Sequence, residues 1–101
     1  MKGYRIFITP RAVEEIQDAV YYYNGRQKGL GKKFLVNFKK TIEVIRNSPF
    51  YQIRYDNVRC LLVKGYPYMI HFTIDEKRED IYIHAVIHTS RNPEEHWLRN
   101  D

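Results

Sequence analysis

The sequence predicts an α+β domain: an antiparallel αα-hairpin packed on one face of a mainly antiparallel sheet, with a further strand at the N-terminus. Three observations predict it. Apolar residues recur twice at helical spacing between Pro10 and Ser48. From Phe50 onward the period falls to two. The link between the helical runs, Gly25 to Gly31, is too short for anything but antiparallel neighbours. Each helix carries one apolar stripe and needs one sheet face to cover.

Tyr4 to Thr9 alternates Tyr4, Ile6 and Ile8 against Arg5, Phe7 and Thr9, as a short strand does. Thr9-Pro10 then starts a helix, with Thr9 as N-cap and Pro10 where its missing N–H costs nothing. Ala12, Val13, Ile16, Ala19, Val20 and Tyr23 form the stripe, and Gly25 ends it. Successive helical residues stand about 100° apart. Tyr21, Tyr22 and Tyr23 therefore cannot all enter one core, and at least one of Tyr21 and Tyr22 stays outside, either idle or held for a partner. Phe34, Leu35, Phe38, Ile42 and Ile45 mark the second helix, closed at Ser48-Pro49. Residues Tyr51 to Arg54 begin a strand or a loop. Val58–Val63, Tyr68–Ile74 and Asp80–His88 read as three strands of a meander, joined by Lys64-Gly65-Tyr66-Pro67 and by a charged turn.

One domain spans residues 1–101. The net charge is +5, and it is concentrated: the window Arg26 to Lys40 holds six basic residues, Lys32 and Lys33 among them, and no acid. Such a stripe is either a solvated helix face or a surface for nucleic acid or an acidic protein segment. Cys60 stands alone among apolar neighbours, which predicts a buried, inert thiol and no disulfide framework. No apolar run approaches the roughly 20 residues that cross a bilayer. No secretory leader precedes the first strand, so a reduced, cytoplasmic setting is expected.

The last strand draws the functional reading. Assigning the larger apolar set of each strand to the helices leaves an open face of Arg59, Leu61 and Val63; Met69, His71 and Thr73; and Tyr82, His84, Val86 and His88. Arg91, His96 and Trp97 follow the strand end. His84 and His88 lie roughly 13 Å apart along a strand, too far to share one ion, so neither metal nor other cofactor is expected. An RNA-cleaving site would take His88 as acid or base and Arg91 and Arg59 as phosphate clamps. Tyr82 or Trp97 would be a stacking surface, with His71 and His84 beside them. The competing readings are a protein-binding face and a plain solvent side of a sheet.

Several strings resemble those of the RelE/ParE superfamily, the toxins of type II toxin–antitoxin modules once called plasmid stabilisation proteins. They are Tyr21-Tyr22-Tyr23, Gly29-Leu30-Gly31-Lys32-Lys33-Phe34, Gly65-Tyr66-Pro67-Tyr68, and His88-Thr89-Ser90-Arg91-Asn92-Pro93 with Trp97. The resemblance covers nearly the whole chain. It implies a small basic toxin neutralised by a cognate antitoxin. RelE-like members cut messenger RNA on the ribosome; ParE-like members inhibit DNA gyrase. The RNA-cleaving members often carry Arg after the Gly-Tyr turn and a terminal catalytic Tyr. Here Pro67-Tyr68 and His96-Trp97 stand at those places. The resemblance therefore favours the gyrase-inhibiting kind, with a ribosome-dependent endoribonuclease or a non-toxic binding module as alternatives.

Overall fold

A computed structural model describes residues 3–91; Trp97 and His96 lie outside the described residues. The element order is β1 (Arg5–Ile8), α1 (Pro10–Arg26), α2 (Leu30–Asn47), β2 (Ile53–Tyr55), β3 (Val58–Leu62), β4 (Tyr68–Asp75) and β5 (Asp80–His88). The strands form one sheet in the order β1-β5-β4-β3-β2. β1 runs parallel to β5 and the other pairings are antiparallel. The core is the layer between helices and sheet. Ala12, Ile16 and Ala19 of α1 and Phe34, Phe38, Ile42 and Ile45 of α2 meet Val63, Ile70, Phe72, Ile81, Ile83 and Val86.

Local chemistry sets the helix ends. The Thr9 hydroxyl accepts from the Ala12 N–H at 3.2 Å, which satisfies one free donor of the first turn. In the hairpin, Gly29 takes φ +93°, a conformation costly for any residue with a Cβ. Gly31 is needed for space. A Cβ there would lie 2.7 Å from the Val20 carbonyl oxygen and from Asn24, whose side chain accepts the Gly31 N–H at 2.9 Å. The Gly29-Leu30-Gly31 string is therefore the crossing point of the two helices. Both Tyr21 (82% exposed) and Tyr22 (51%) stay outside.

The sheet departs from strict alternation at one place. Phe72 pairs with Ile83 and His71 with Ala85, so His84 is an extra residue, a β-bulge in β5. Beyond a bulge the side chains change faces. Ile81 and Ile83 face the helices before it; Val86 and His88 do so after it, opposite Ile70 and Tyr68. α1 holds the bulge in place. The Thr9 N–H donates to the Ile83 carbonyl at 3.0 Å and the Thr9 hydroxyl to the His84 carbonyl at 3.3 Å. The Glu15 carboxylate accepts the Val86 N–H at 2.8 Å.

This corrects the expected open face in two respects. Val86 and His88 belong to the helix side, while Ala85 and Ile87 take the far side with Met69 and His71. β3 is also turned over. Arg59 and Leu61 pair with Phe72 and Ile70, and Val63 is fully buried in the core. Leu62, expected inside, is 46% exposed.

Two substitutions test these constraints. Gly31→Ala should cost about 1–3 kcal/mol, because the helices must part to admit the methyl group. Glu15→Ala should cost a similar amount by stranding the Val86 N–H, about 1–3 kcal/mol. Thermal unfolding checks both, against the exposed neighbour substitution Glu14→Ala, expected within about 0.5 kcal/mol of the parent.

Candidate functional site

The bulge delivers His88 to the end of the helical hairpin. There the aromatic residues of three elements meet. Tyr23 and Phe34 stack at 5.6 Å between centroids. Tyr66 meets them edge-on at 5.2 and 5.1 Å, and Tyr68 at 6.2 and 5.4 Å. The His88 ring stands against Tyr68 at 5.4 Å. The turn that carries Tyr66 is closed by its N–H donating to the Val63 carbonyl at 3.0 Å, with Gly65 at φ +84°. Pro67 binds the strand exit: its carbonyl accepts the Thr89 N–H at 2.9 Å. So the Gly65-Tyr66-Pro67-Tyr68 string is the floor of one site and the anchor of its rim.

Above this floor lies an open cleft of about 500 Å³, with Tyr22, Arg26, Leu30, Tyr68, His88 and Arg91 on its walls. An Arg26 N–H donates to the Tyr22 hydroxyl at 3.0 Å, and the guanidinium stands 5.8 Å from that ring's centre. On the other side of Tyr22 is a smaller hollow lined by Glu15, Asp18, Val86 and Arg91. The two hollows share Tyr22, Tyr68, His88 and Arg91, and the second adds Glu15 and Asp18. Tyr23 and Tyr68 beside Tyr22 have hydroxyls pushed up in pKa. Burial is the main cause for both; nearby tyrosines add to it, and Arg91 opposes it at Tyr68.

His88 is held in one orientation. Its Nδ1 accepts the Ser90 N–H at 3.1 Å and lies 2.9 Å from the Ser90 hydroxyl. A backbone N–H can only donate, so the neutral ring carries its proton on Nε2. The ring offers a donor.

The expected site residues divide among separate places. His88 and Arg91 share the cleft. Arg59 does not join them. It sits opposite Phe72 while His88 sits opposite Tyr68, four residues along β4, so roughly 13 Å along the strands and two strands across separate the pair. Arg59 instead donates to the Tyr51 carbonyl at 2.6 Å and covers the Phe50 ring at 5.5 Å. His71 and His84 lie on the far face. The His71 Nδ1 is 2.9 Å from the Tyr55 hydroxyl and 3.3 Å from the Cys60 sulfur. The His84 Nε2 is 2.7 Å from the Thr73 hydroxyl. Tyr82 stacks on Phe7 at 5.3 Å, which ties β1 to β5. Lys32 and Lys33 are exposed on the first turn of α2 and do not line the cleft. Among the described residues no cluster of metal-ligating side chains occurs.

Sequence reasoning missed Tyr22, Arg26 and Tyr68 as site residues. The signal was present for two of them. Tyr22 and Arg26 are four apart on α1, one helical turn, and so share a flank.

Burial pushes the Cys60 thiol from 9.0 up to about 11, and it sits where an S–H can donate to His71. At neutral pH the thiolate population falls about a hundredfold, so alkylation by iodoacetamide should be about a hundredfold slower than in the urea-unfolded chain. Cys60, Tyr23 and Tyr68 all hold their protons more tightly when folded. The contribution of these groups is therefore full below pH 9 and should be lost as pH rises through about 11, where the unfolded chain has already released its protons. Melting temperature against pH checks the sign.

Comparison with known proteins agrees with this architecture. Residues 6–93 match the profile of the ParE toxin of type II toxin-antitoxin system, parDE. No curated protein sequence matches the chain significantly. Among solved structures, one titled "Chromosomal ParDE TA system from P. aeruginosa" has the same fold. It superposes with a TM-score of 0.73 at 12% identity, over 84% of this chain and 95% of that one. The chain belongs to the ParE toxin family of type II toxin–antitoxin systems.

Proposed function

We propose that this ParE-family toxin acts by occupying a protein target, that the target is DNA gyrase, and that a cognate antitoxin neutralises it in the cytoplasm. Family membership supports the toxin role and the antitoxin partner. It also carries the choice of gyrase, through the resemblance to gyrase-inhibiting members. No helix among the described residues is long and apolar enough to cross a membrane.

One observation of the site supports binding over cleavage. RNA cleavage needs a base, an acid and a phosphate clamp within reach of one phosphate. Of the expected histidines only His88 lines the cleft, while His71 and His84 lie on the far face and Arg59 is displaced to the opposite end of β3 from the turn beneath the cleft. Beside His88 and Arg91, the cleft gathers Tyr22, Tyr68 and Arg26, residue types enriched in protein interfaces.

The test is to induce the chain in growing cells and to assay it against purified gyrase. The expected outcome is growth arrest with intact transcripts, a DNA-damage response, and loss of supercoiling in vitro. Rapid site-specific loss of ribosome-bound messages, with supercoiling unaffected, would sink the proposal. Arg26→Glu should weaken the inhibition at least tenfold while the melting temperature stays within a few degrees, since Arg26 is exposed.

A further inference from the structure

The cleft leaves most of the basic window of the sequence without a role, and α2 sorts four of its lysines onto one surface. Lys32, Lys33, Lys39 and Lys40 are all exposed along this helix, and none of them lines the cleft. Lys32 and Lys39 are seven residues apart, as are Lys33 and Lys40. Each pair therefore stands two turns apart, about 10 Å, on nearly one line, and the two lines lie about 100° apart around the helix. The opposite side of α2, with Phe34, Phe38, Ile42 and Ile45, is sealed in the core. The fold itself makes no use of the four charges. Among the described residues no ion pair involves these lysines, and the acid of α2, Glu43, pairs with Arg46 at 3.4 Å. Lys32 and Lys33 stand in the first turn, which holds no acid. The positive end of the helix dipole lies there and disfavours cations. Four like charges on one rigid face, two of them at the wrong end of their helix, destabilise the folded chain until an external anion meets them.

We propose that this face of α2 binds the phosphate backbone of duplex DNA, independently of base sequence. The residue types select the partner. Lys is depleted in protein interfaces, where Tyr, Trp and Arg are enriched. A single strand is gripped through rings on which its bases stack, and both aromatic residues of α2, Phe34 and Phe38, are buried. An anionic membrane surface holds a helix by an apolar side pressed among the lipids, and the apolar side of α2 is already occupied by the core. Duplex DNA requires none of these features. It carries one negative charge per about 1.7 Å of its axis, and each lysine that neutralises a phosphate releases a counterion. The proposal goes beyond the gyrase reading and stands without it: the contact is with DNA itself, on a surface apart from the cleft.

The test titrates a fluorescent duplex of about two helical turns with the full chain and follows anisotropy, with no gyrase present. Two duplexes of unrelated sequence should bind equally. Four phosphate contacts give a slope of about −3.6 in log affinity against log salt, so affinity should fall about a hundredfold between about 50 and 200 mM salt. The double variant Lys39→Gln/Lys40→Gln should make that slope shallower by about 2. A control, Lys77→Gln/Arg78→Gln, removes the same net charge from the exposed turn between β4 and β5 and should leave the slope unchanged. Circular dichroism should show both variants folded, since all four residues are exposed. Equal weakening in the two variants would mean that net charge alone drives binding, and it overturns the inference. Tighter binding to a single strand of the same length, to phosphatidylserine vesicles or to polyglutamate overturns it as well, and so does absence of duplex binding at about 50 mM salt. Duplex binding of the expected kind by a chain that fails to inhibit gyrase leaves the inference standing and removes only the gyrase reading.

Discussion

The carboxylate of Glu15 accepting the Val86 N–H fixes what the rest of the molecule presents. A bulge in β5 leaves backbone groups out of the ladder, and each must find a partner or remain unsatisfied near the core. α1 supplies those partners through Thr9 and Glu15. The same contacts set the position of α1 over the sheet. Once the bulge is placed, Val86 enters the core and His88 arrives beside Tyr68 under the hairpin. Without it, His88 would share a face with His71, and the cleft would lose one wall. Register, helix placement and site composition are one decision.

Much of the fold was legible in the sequence because its signals are local. The Thr9-Pro10 cap, the two stripes, the Gly-punctuated hairpin and the period-two strands each depend on a few neighbouring residues. They came out within about two residues of the observed ends, as such readings do. The open face was misread because facing is cumulative. A single extra residue at His84 reverses everything after it, and nothing in Asp80–His88 marks the place. β3 failed for a different reason. Val58, Cys60 and Leu62 are collectively as apolar as Leu61 and Val63, and Arg59 counted against its own face. Its side chain reaches the rim, where it donates to Tyr51 and leaves the core undisturbed.

The candidate cleft was half legible. His88 and Arg91, which line it together, stood out because a strand exit rich in polar groups is conspicuous. Arg59, His71 and His84 were grouped with them by a shared face that the bulge divides. Tyr21 or Tyr22 was expected outside the core, idle or held for a partner, and Arg26 stood in a basic window open to nucleic acid or an acidic segment, but the two were not joined. Their partnership depends on the helix flank opposite the hairpin partner, which the stripe of α1 defines by exclusion. Tyr68 was counted as core, and half of it is: the ring is shared between Phe34 and the cleft.

The pairing of β1 with β5 has a temporal meaning. Arg5 finds Asp80 seventy-five residues later, in an ion pair of 2.8 Å whose carboxylate is buried. Contacts between distant parts of a chain form late, and during synthesis the N-terminal segment waits for its partner to be made. Thr9 and Glu15 likewise have nothing to grip until the bulge exists. A nascent chain can build its helical hairpin early, but it cannot seat that hairpin or assemble the cleft before β5 leaves the ribosome. A translation product that stops short of β5 lacks both the strand on which β1 pairs and the wall of the cleft that His88 supplies.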